Sequence, residues 1–460
     1  MRTTVTQRRV RGSWARAVAL SVTTVVAAAA LAGCSSSSDS SAPVGNSPAD
    51  FDKALHTKTT LTVWAWDPGY KAVAEAFEKK YPDITVNLQN VGTATDQSVK
   101  LQNAIKAGSG APDVAQLNYD SISQFAVSKG LFDLRGVGFA SLQPLFTESA
   151  WTDVKLGDGI YALPLGIGPM ALFYNKKYFD AAGITKPPAT WAEYLDAARK
   201  IHAHNPSQYI TSDAGDDAYI TTLIQQAGGH PFRTDGTKVT VNLTDAGSKK
   251  AADMWNPLIQ EGLLAPIAPW SDQWYKGLAD GTIASLTYGS WMAGNLVSGV
   301  PAGKGDWRVA PMPAYTAGDT AIAEHGGGGA AVIAQSMHKT LAAAFLKFLT
   351  AGDGQKIELD SVGGVPAAIA NLNDPAWVNA ENEESEYFGG QKINKFFAEA
   401  AKNIVPGWQW TPFQVYANTI FNDTVGKSYS SKTDLNQGLK AWQTALTTYG
   451  NQQGFTVTND

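Results

Sequence analysis

The chain has 460 residues, 44% hydrophobic and 17% charged, with a formal net charge of -5; this length exceeds one ordinary core and predicts two lobes or domains. Residues 1–33 hold five arginines (Arg2, Arg8, Arg9, Arg11, Arg16) and no acid, which leaves 31 basic against 41 acidic residues beyond them, a net charge of -10. An acidic body argues against nucleic acid or an anionic membrane as the main partner, and a single cysteine, Cys34, excludes an internal disulfide and a cysteine-based metal site.

The arginines precede an uncharged, mostly apolar run from Ala17 to Leu31. A basic segment followed by an apolar one of about 15 residues has the shape of a signal peptide and is shorter than the ~20 residues a membrane span needs. The run ends in Leu31-Ala32-Gly33-Cys34, which looks like a lipobox, with Cys34 acylated as the mature N-terminus. Arg8-Arg9 raises twin-arginine export, but its flanks fit poorly, and the export route stays open. Residues 34–54 carry four serines directly after Cys34 and read as a flexible tether.

Within the body, Thr60–Trp66 is a β-rich run closed by the turn signal Asp67-Pro68-Gly69. A helix is expected over Tyr70–Tyr81, an alternating strand over Ile84–Val91, a helix over Gln97–Ala107 and a short apolar strand over Asp113–Leu117. This alternation predicts an α/β lobe with a largely parallel sheet. Gly159–Leu165 and Met170–Tyr174 read as extended, with Gly166, Gly168 and Pro169 forming a bend between lobes. Trp191–His202 is an amphipathic helix with Thr190 as N-cap. Further helices are expected at Leu243–Glu261, Gly289–Val297, His338–Thr350, Ile393–Lys402, Phe413–Lys427 and Leu435–Tyr449. Gly326–Gly329 reads as the most flexible point of the body.

Catalytic and cofactor signatures are absent from the sequence. The six histidines form no HExxH pair, and no GxSxG, P-loop or GxGxxG precedes a helix. No cofactor is expected. Nothing marks a glycosidase carboxylate pair, and the acidic run Glu381–Glu386 reads as a solvated loop. Aromatic residues beside turns and polar groups stand out: Trp66-Asp67, Tyr119-Asp120, Trp270–Tyr275, Ser290-Trp291 and Trp408-Gln409-Trp410. Such loops at strand ends are where open α/β sheets bind ligands. An indole face packs on the apolar face of a sugar, and carboxylates and amides pair with its hydroxyls. Trp64, inside a strand, and Trp191, on a helix face, are assigned to the core.

Taken in order, these pieces resemble the family 1 extracellular solute-binding proteins of ABC importers, the group that includes maltose-binding protein. The matching segments are Leu61-Thr62-Val63-Trp64 with Asp67, Phe77-Glu78 through Pro82-Asp83-Ile84, Ala107–Val114 and Gly130–Leu134. Tyr161-Ala162-Leu163-Pro164, Leu172–Lys176, Ala182-Gly183-Ile184, Pro187-Pro188 and Thr190-Trp191 follow. Tyr288–Trp291, Met312-Pro313, Gly326–Gly329 and Gly363–Pro366 complete the series. Two departures fall in the second lobe: Gly281–Leu286 replaces the usual Gly-Lys-Ala-Ala-Met, and the aromatic residue near Asp217 is displaced to Tyr219.

The resemblance implies a two-lobed, type II periplasmic-binding-protein-like α/β fold, its lobes joined by hinge strands around a ligand cleft. Lobe 1 would hold 55–166 and 313–365, and lobe 2 would hold 167–312 and 366–455. Trp66, Asp67, Asp120 and the backbone of Gly326–Gly328, Gly327 among them, would line one lip. Asp217, Trp291, Trp408 and Trp410 would line the other. The implied function is capture of a carbohydrate, an oligosaccharide in size, by a lipid-anchored extracytoplasmic monomer that delivers it to ABC permease subunits. Two alternatives remain at this point: the same fold holding a glycerol-phosphate ester or peptide, and a surface-tethered carbohydrate-active enzyme.

Overall fold

The computed structural model describes residues 44–213 and 215–460. The leader, Cys34 and the serine-rich stretch lie outside the described residues. The body begins before residue 55: Pro48–Leu55 is a helix within the expected tether, with a capping box between Ser47 and Asp50 at its start. Phe51 of this helix stacks on Phe139 with centroids 6.0 Å apart, so apolar burial recruits the end of the tether into the body.

The main sheet has eight strands: β1 (Thr59–Trp64), β2 (Ile84–Gln89), β3 (Val114–Asn118), β4 (Leu163–Asn175), β5 (Ser285–Gly289), β6 (Trp307–Ala310), β7 (Glu324–Val332) and β8 (Val365–Pro366). In β1, Leu61 and Val63 point inward and are fully buried while Thr60 and Thr62 are not, the alternation of a half-buried strand. The following helix, Gly69–Lys80, buries Tyr70, Val73, Ala74 and Phe77, the i, i+3, i+4, i+7 stripe of a core-facing helix. Phe77 meets Phe345 and Phe348 edge to face at 5.1 and 5.2 Å. Trp64 and Trp191 are core residues, each donating its indole N–H to a glutamine, Gln89 and Gln226 respectively. Thr190 caps Trp191–His204 by accepting from the Glu193 amide at 3.2 Å.

The sheet is mixed rather than largely parallel. β1, β2 and β3 run parallel, but β7 runs antiparallel to both β3 and β4, and β5, β6 and β8 run antiparallel to β4. The expected bend at Gly166–Pro169 is instead a continuous 13-residue strand. The start of β4 pairs with β7 and β8, and from Met170 onward its partners are β5 and β6. One strand therefore belongs to both halves of a two-lobed α/β body, and the pairing changes hands where Gly166 and Gly168 sit.

Gly326–Gly329 is not a free loop either. It lies inside β7, bonded to β3 on one side and β4 on the other. A Cβ on Gly328 or Gly329 would stand 2.5 or 2.2 Å from a carbonyl oxygen of the neighbouring strand, so these glycines allow close strand approach. Further along, Phe413–Lys427 divides into the helices Gln414–Thr419 and Gly426–Ser431, and Gly289 ends a strand, its helix starting at Met292. Among the described residues, no helix is long and apolar enough to cross a membrane.

Candidate functional site

A cavity of about 630 Å³ is lined by Leu165, Gly166 and Ile167 of β4, where its pairing changes hands, and by Glu324–Gly328 of β7. Its lining includes Trp66, Asp67, Asp120, Trp291, Gly327, Trp408 and Trp410, so seven of the eight residues singled out in the sequence meet in one place. The eighth, Asp217, heads the helix Asp217–Gln226; its side chain lies outside the described residues. Ala218, Thr222 and Gln225 of that helix line the cavity.

Each residue is held by local structure. Trp66 and Asp67 occupy the turn after β1, where both backbone amides donate to the side-chain oxygen of Gln116 at 3.1 Å. Asp67 accepts from the Gly69 amide at 2.7 Å, a turn-closing bond typical of aspartate. Its carboxyl lies against that of Glu358, and burial raises its pKa while the Gly69 bond opposes. Glu358 is raised further, by burial first and then by repulsion from Asp67. Asp120, in the first turn of Tyr119–Val127, is pushed up to about 6 by burial.

Trp291 is fixed by an N–H donated to the His325 carbonyl at 2.7 Å. Gly327 has φ +89°, and a Cβ there would stand 2.8 Å from both Glu324 Oε1 and the Tyr119 ring; no larger residue fits. Trp408 and Trp410 meet edge to face at 5.5 Å. Trp408 is 5% exposed and its indole N–H has no partner among the described residues.

The sequence reading missed several lining residues. Asp153 and Glu324 both face the cavity. Burial pushes Asp153 up to about 8, and burial followed by repulsion from Asp153 drives Glu324 well above the carboxylate range. Glu324 accepts from the Gly168 amide at 3.2 Å on the strand that passes between the halves. Two carboxyls sharing a dry site do not both ionise. His325 stacks on Tyr288 at 5.1 Å, and burial lowers its pKa, keeping the ring neutral. Glu384, assigned above to a solvated loop, lines the cavity instead, because the short helix Glu383–Tyr387 turns it inward beside Gly294. Tyr219 lies in the core, its hydroxyl bonded to Thr287. Among the described residues the lining holds six carboxyls and no Lys or Arg.

A sequence model described as "Bacterial extracellular solute-binding protein" matches residues 65–356. The chain belongs to this family. A solved structure of an ABC-transporter-associated binding protein from B. animalis subsp. lactis Bl-04, in complex with β-1,6-galactobiose, is 42% identical to this solute-binding protein. It covers 88% of this chain and 100% of the other, with a TM-score of 0.76. The galacto-N-biose/lacto-N-biose I-binding protein of Bifidobacterium longum, solved with lacto-N-biose, is 26% identical, with a TM-score of 0.75 over 87% of this chain and 98% of its own. The lactose-binding protein of Rhizobium radiobacter is 28% identical over 74% of this chain and 81% of its own. These relatives are binding proteins, not enzymes, and carbohydrate capture for an ABC importer is the function they share with this extracytoplasmic protein.

Proposed function

We propose that this solute-binding protein captures a short β-galactoside, of the size of galactobiose, in the cavity between its lobes. What supports a carbohydrate is the lining, with indoles of Trp66, Trp291, Trp408 and Trp410, carboxyls of Asp67, Asp120, Asp153, Glu324, Glu358 and Glu384, and among the described residues no Lys or Arg; what points to a β-galactoside is the β-1,6-galactobiose bound by the relative that is 42% identical. Indole faces bind the apolar face of a pyranose, and carboxyls and the amides of Gln116 and Gln225 match its hydroxyls. A phosphate ester or a carboxylate ligand calls for Arg or Lys, so the absence of both from the lining argues against those solutes. The cavity lies in the size range of small-molecule sites.

The lobes of this reading are 55–166 with 313–365, and 167–312 with 366–455, closing about β4 and β7. Asp217 acts with the second lobe. Cys34 carries the lipid, residues after it give the body reach, and the monomer hands its sugar to permease subunits in the membrane. The test is tryptophan emission and thermal melting of the soluble body, from Ser35 onward, against β-galactosides, α-glucosides, glycerol phosphate and peptides. A ligand at 100 times its Kd adds about 2.7 kcal/mol of stability. A β-galactoside that raises the melting temperature and shifts emission supports the reading. A response to an α-glucoside, glycerol phosphate or peptide alone refutes it.

A further inference from the structure

One aromatic segment singled out in the sequence has no place in the cavity. Trp270 is absent from the lining, yet it joins two features that rarely meet in a large aromatic residue. It is 44% exposed, and its backbone sits at φ +68°. Among the described residues only two other non-glycine residues, Lys129 and Lys432, have positive φ. A bulky side chain in the left-handed region crowds its own carbonyl, and such strain persists where the surroundings impose it, often at binding sites. An exposed indole also forgoes the burial that ordinarily stabilises tryptophan. Burial in the core therefore explains neither feature.

The neighbours of Trp270 give the direction. Its ring lies 5.5 Å from that of Trp291, tilted by 34°, with Tyr288 at 5.8 Å and Trp274 at 4.9 Å. Trp291 lines the cavity and is locked by its bond to the His325 carbonyl. Trp270 thus continues the aromatic surface of Trp291 from the cavity to the outside. Its base is firm: Trp274, in the next helix Asp272–Asp280, is fully buried and donates its N–H to Ser212 at 2.7 Å.

We propose that Trp270 is the platform of an outer subsite, stacking a sugar unit of a longer oligosaccharide whose first units occupy the cavity. This rests on the carbohydrate reading of the cavity itself. An outer unit keeps most of its hydroxyls in water, so an indole face without a ring of polar partners suffices to hold it. The disaccharide-sized part of the ligand does not touch Trp270.

The test is calorimetric titration of wild type, Trp270→Ala and Trp270→Tyr with β-galactosides of two, three and four units. Stacking on one exposed indole corresponds to about tenfold in affinity. Trp270→Ala is expected to lose about that factor for the tetrasaccharide and less than about twofold for the disaccharide, while Trp270→Tyr keeps most of the tetrasaccharide affinity. Trp270→Gly, which accepts the left-handed backbone, supplies the same comparison if the alanine variant does not fold. Equal losses at every length would make Trp270 a brace for Trp291 and overturn the proposal, as would no loss at any length. A wild type that binds no β-galactoside of any length would instead refute the β-galactoside reading of the cavity.

Discussion

Two glycines on one strand should respond very unequally to the same substitution. A Cβ on Gly168 would stand 2.1 Å from the His325 carbonyl oxygen, whereas a Cβ on Gly166 would meet its nearest neighbour, the Val365 oxygen, at 3.5 Å. Real Cβ contacts essentially never fall under 3.0 Å, so Gly168→Ala must move backbone by about 1 Å in a packed interior where overpacking costs roughly 1–3 kcal/mol. The displaced oxygen also accepts the Trp291 N–H, and the Gly168 amide donates to Glu324; weakening one such bond adds about 1 kcal/mol. A total near 3 kcal/mol corresponds to a fall in melting temperature of roughly 6–12 °C for a lobe of this size. Gly166→Ala should stay within about 0.5 kcal/mol of wild type, since it adds one ordinary contact. Thermal melting by circular dichroism reads both. Gly168→Ala should also weaken sugar binding, because its clash lies directly under the locked indole. Equal melting temperatures for the two variants would refute the argument that β4 and β7 touch at Gly168.

Trp291→Ala should weaken sugar binding at least about tenfold with an unchanged far-ultraviolet spectrum; unchanged affinity would remove Trp291 from the site. Asp120 and Asp153, raised to about 6 and about 8 by burial, hold their protons more tightly folded than unfolded. Their contribution to stability is complete below the ordinary carboxylate range and is lost as pH rises through about 6 and about 8. The melting temperature should therefore fall from pH 5 to pH 9, and Asp153→Asn should flatten the upper part of that fall; a curve that rises over this interval contradicts the burial of both groups. Cys34→Ala should release the protein from the membrane fraction into the medium of the producing cell, and retention on the membrane would exclude Cys34 as the anchor.

Much of what lines the cavity has no local signal in the sequence, for a physical reason. β1 and the helix after it were legible because one face is apolar and the other polar, so Leu61, Val63, Val73 and Phe77 repeat with the period of their element. The helix Tyr119–Val127 and the helix Asp217–Gln226 escaped notice because polar residues are buried along with apolar ones. The first encloses Ser121, Ser123 and Gln124; the second encloses Thr221, Thr222, Gln225 and Gln226 beside Ile220, Leu223 and Ile224. No simple stripe survives such a mixture. The aromatic residues of the site were legible because each stands beside a turn, which is a local signal. The carboxyls Asp153, Glu324, Glu358 and Glu384 were not, because they come from four separate elements and become a group only when those elements pack around the cavity. Glu384 sits in an acidic run whose other members stay in solvent, so only its turn inward toward Gly294 separates it from them. Burying a hydrogen-bonding group is costly unless it finds a partner, and these have partners within the body: Ser123 donates to the Thr411 carbonyl and Gln226 to the Pro313 carbonyl, while Thr222 and Gln225 also face the cavity. Partners so distant in sequence leave no local pattern, so a sequence shows such elements only as places where periodicity fails.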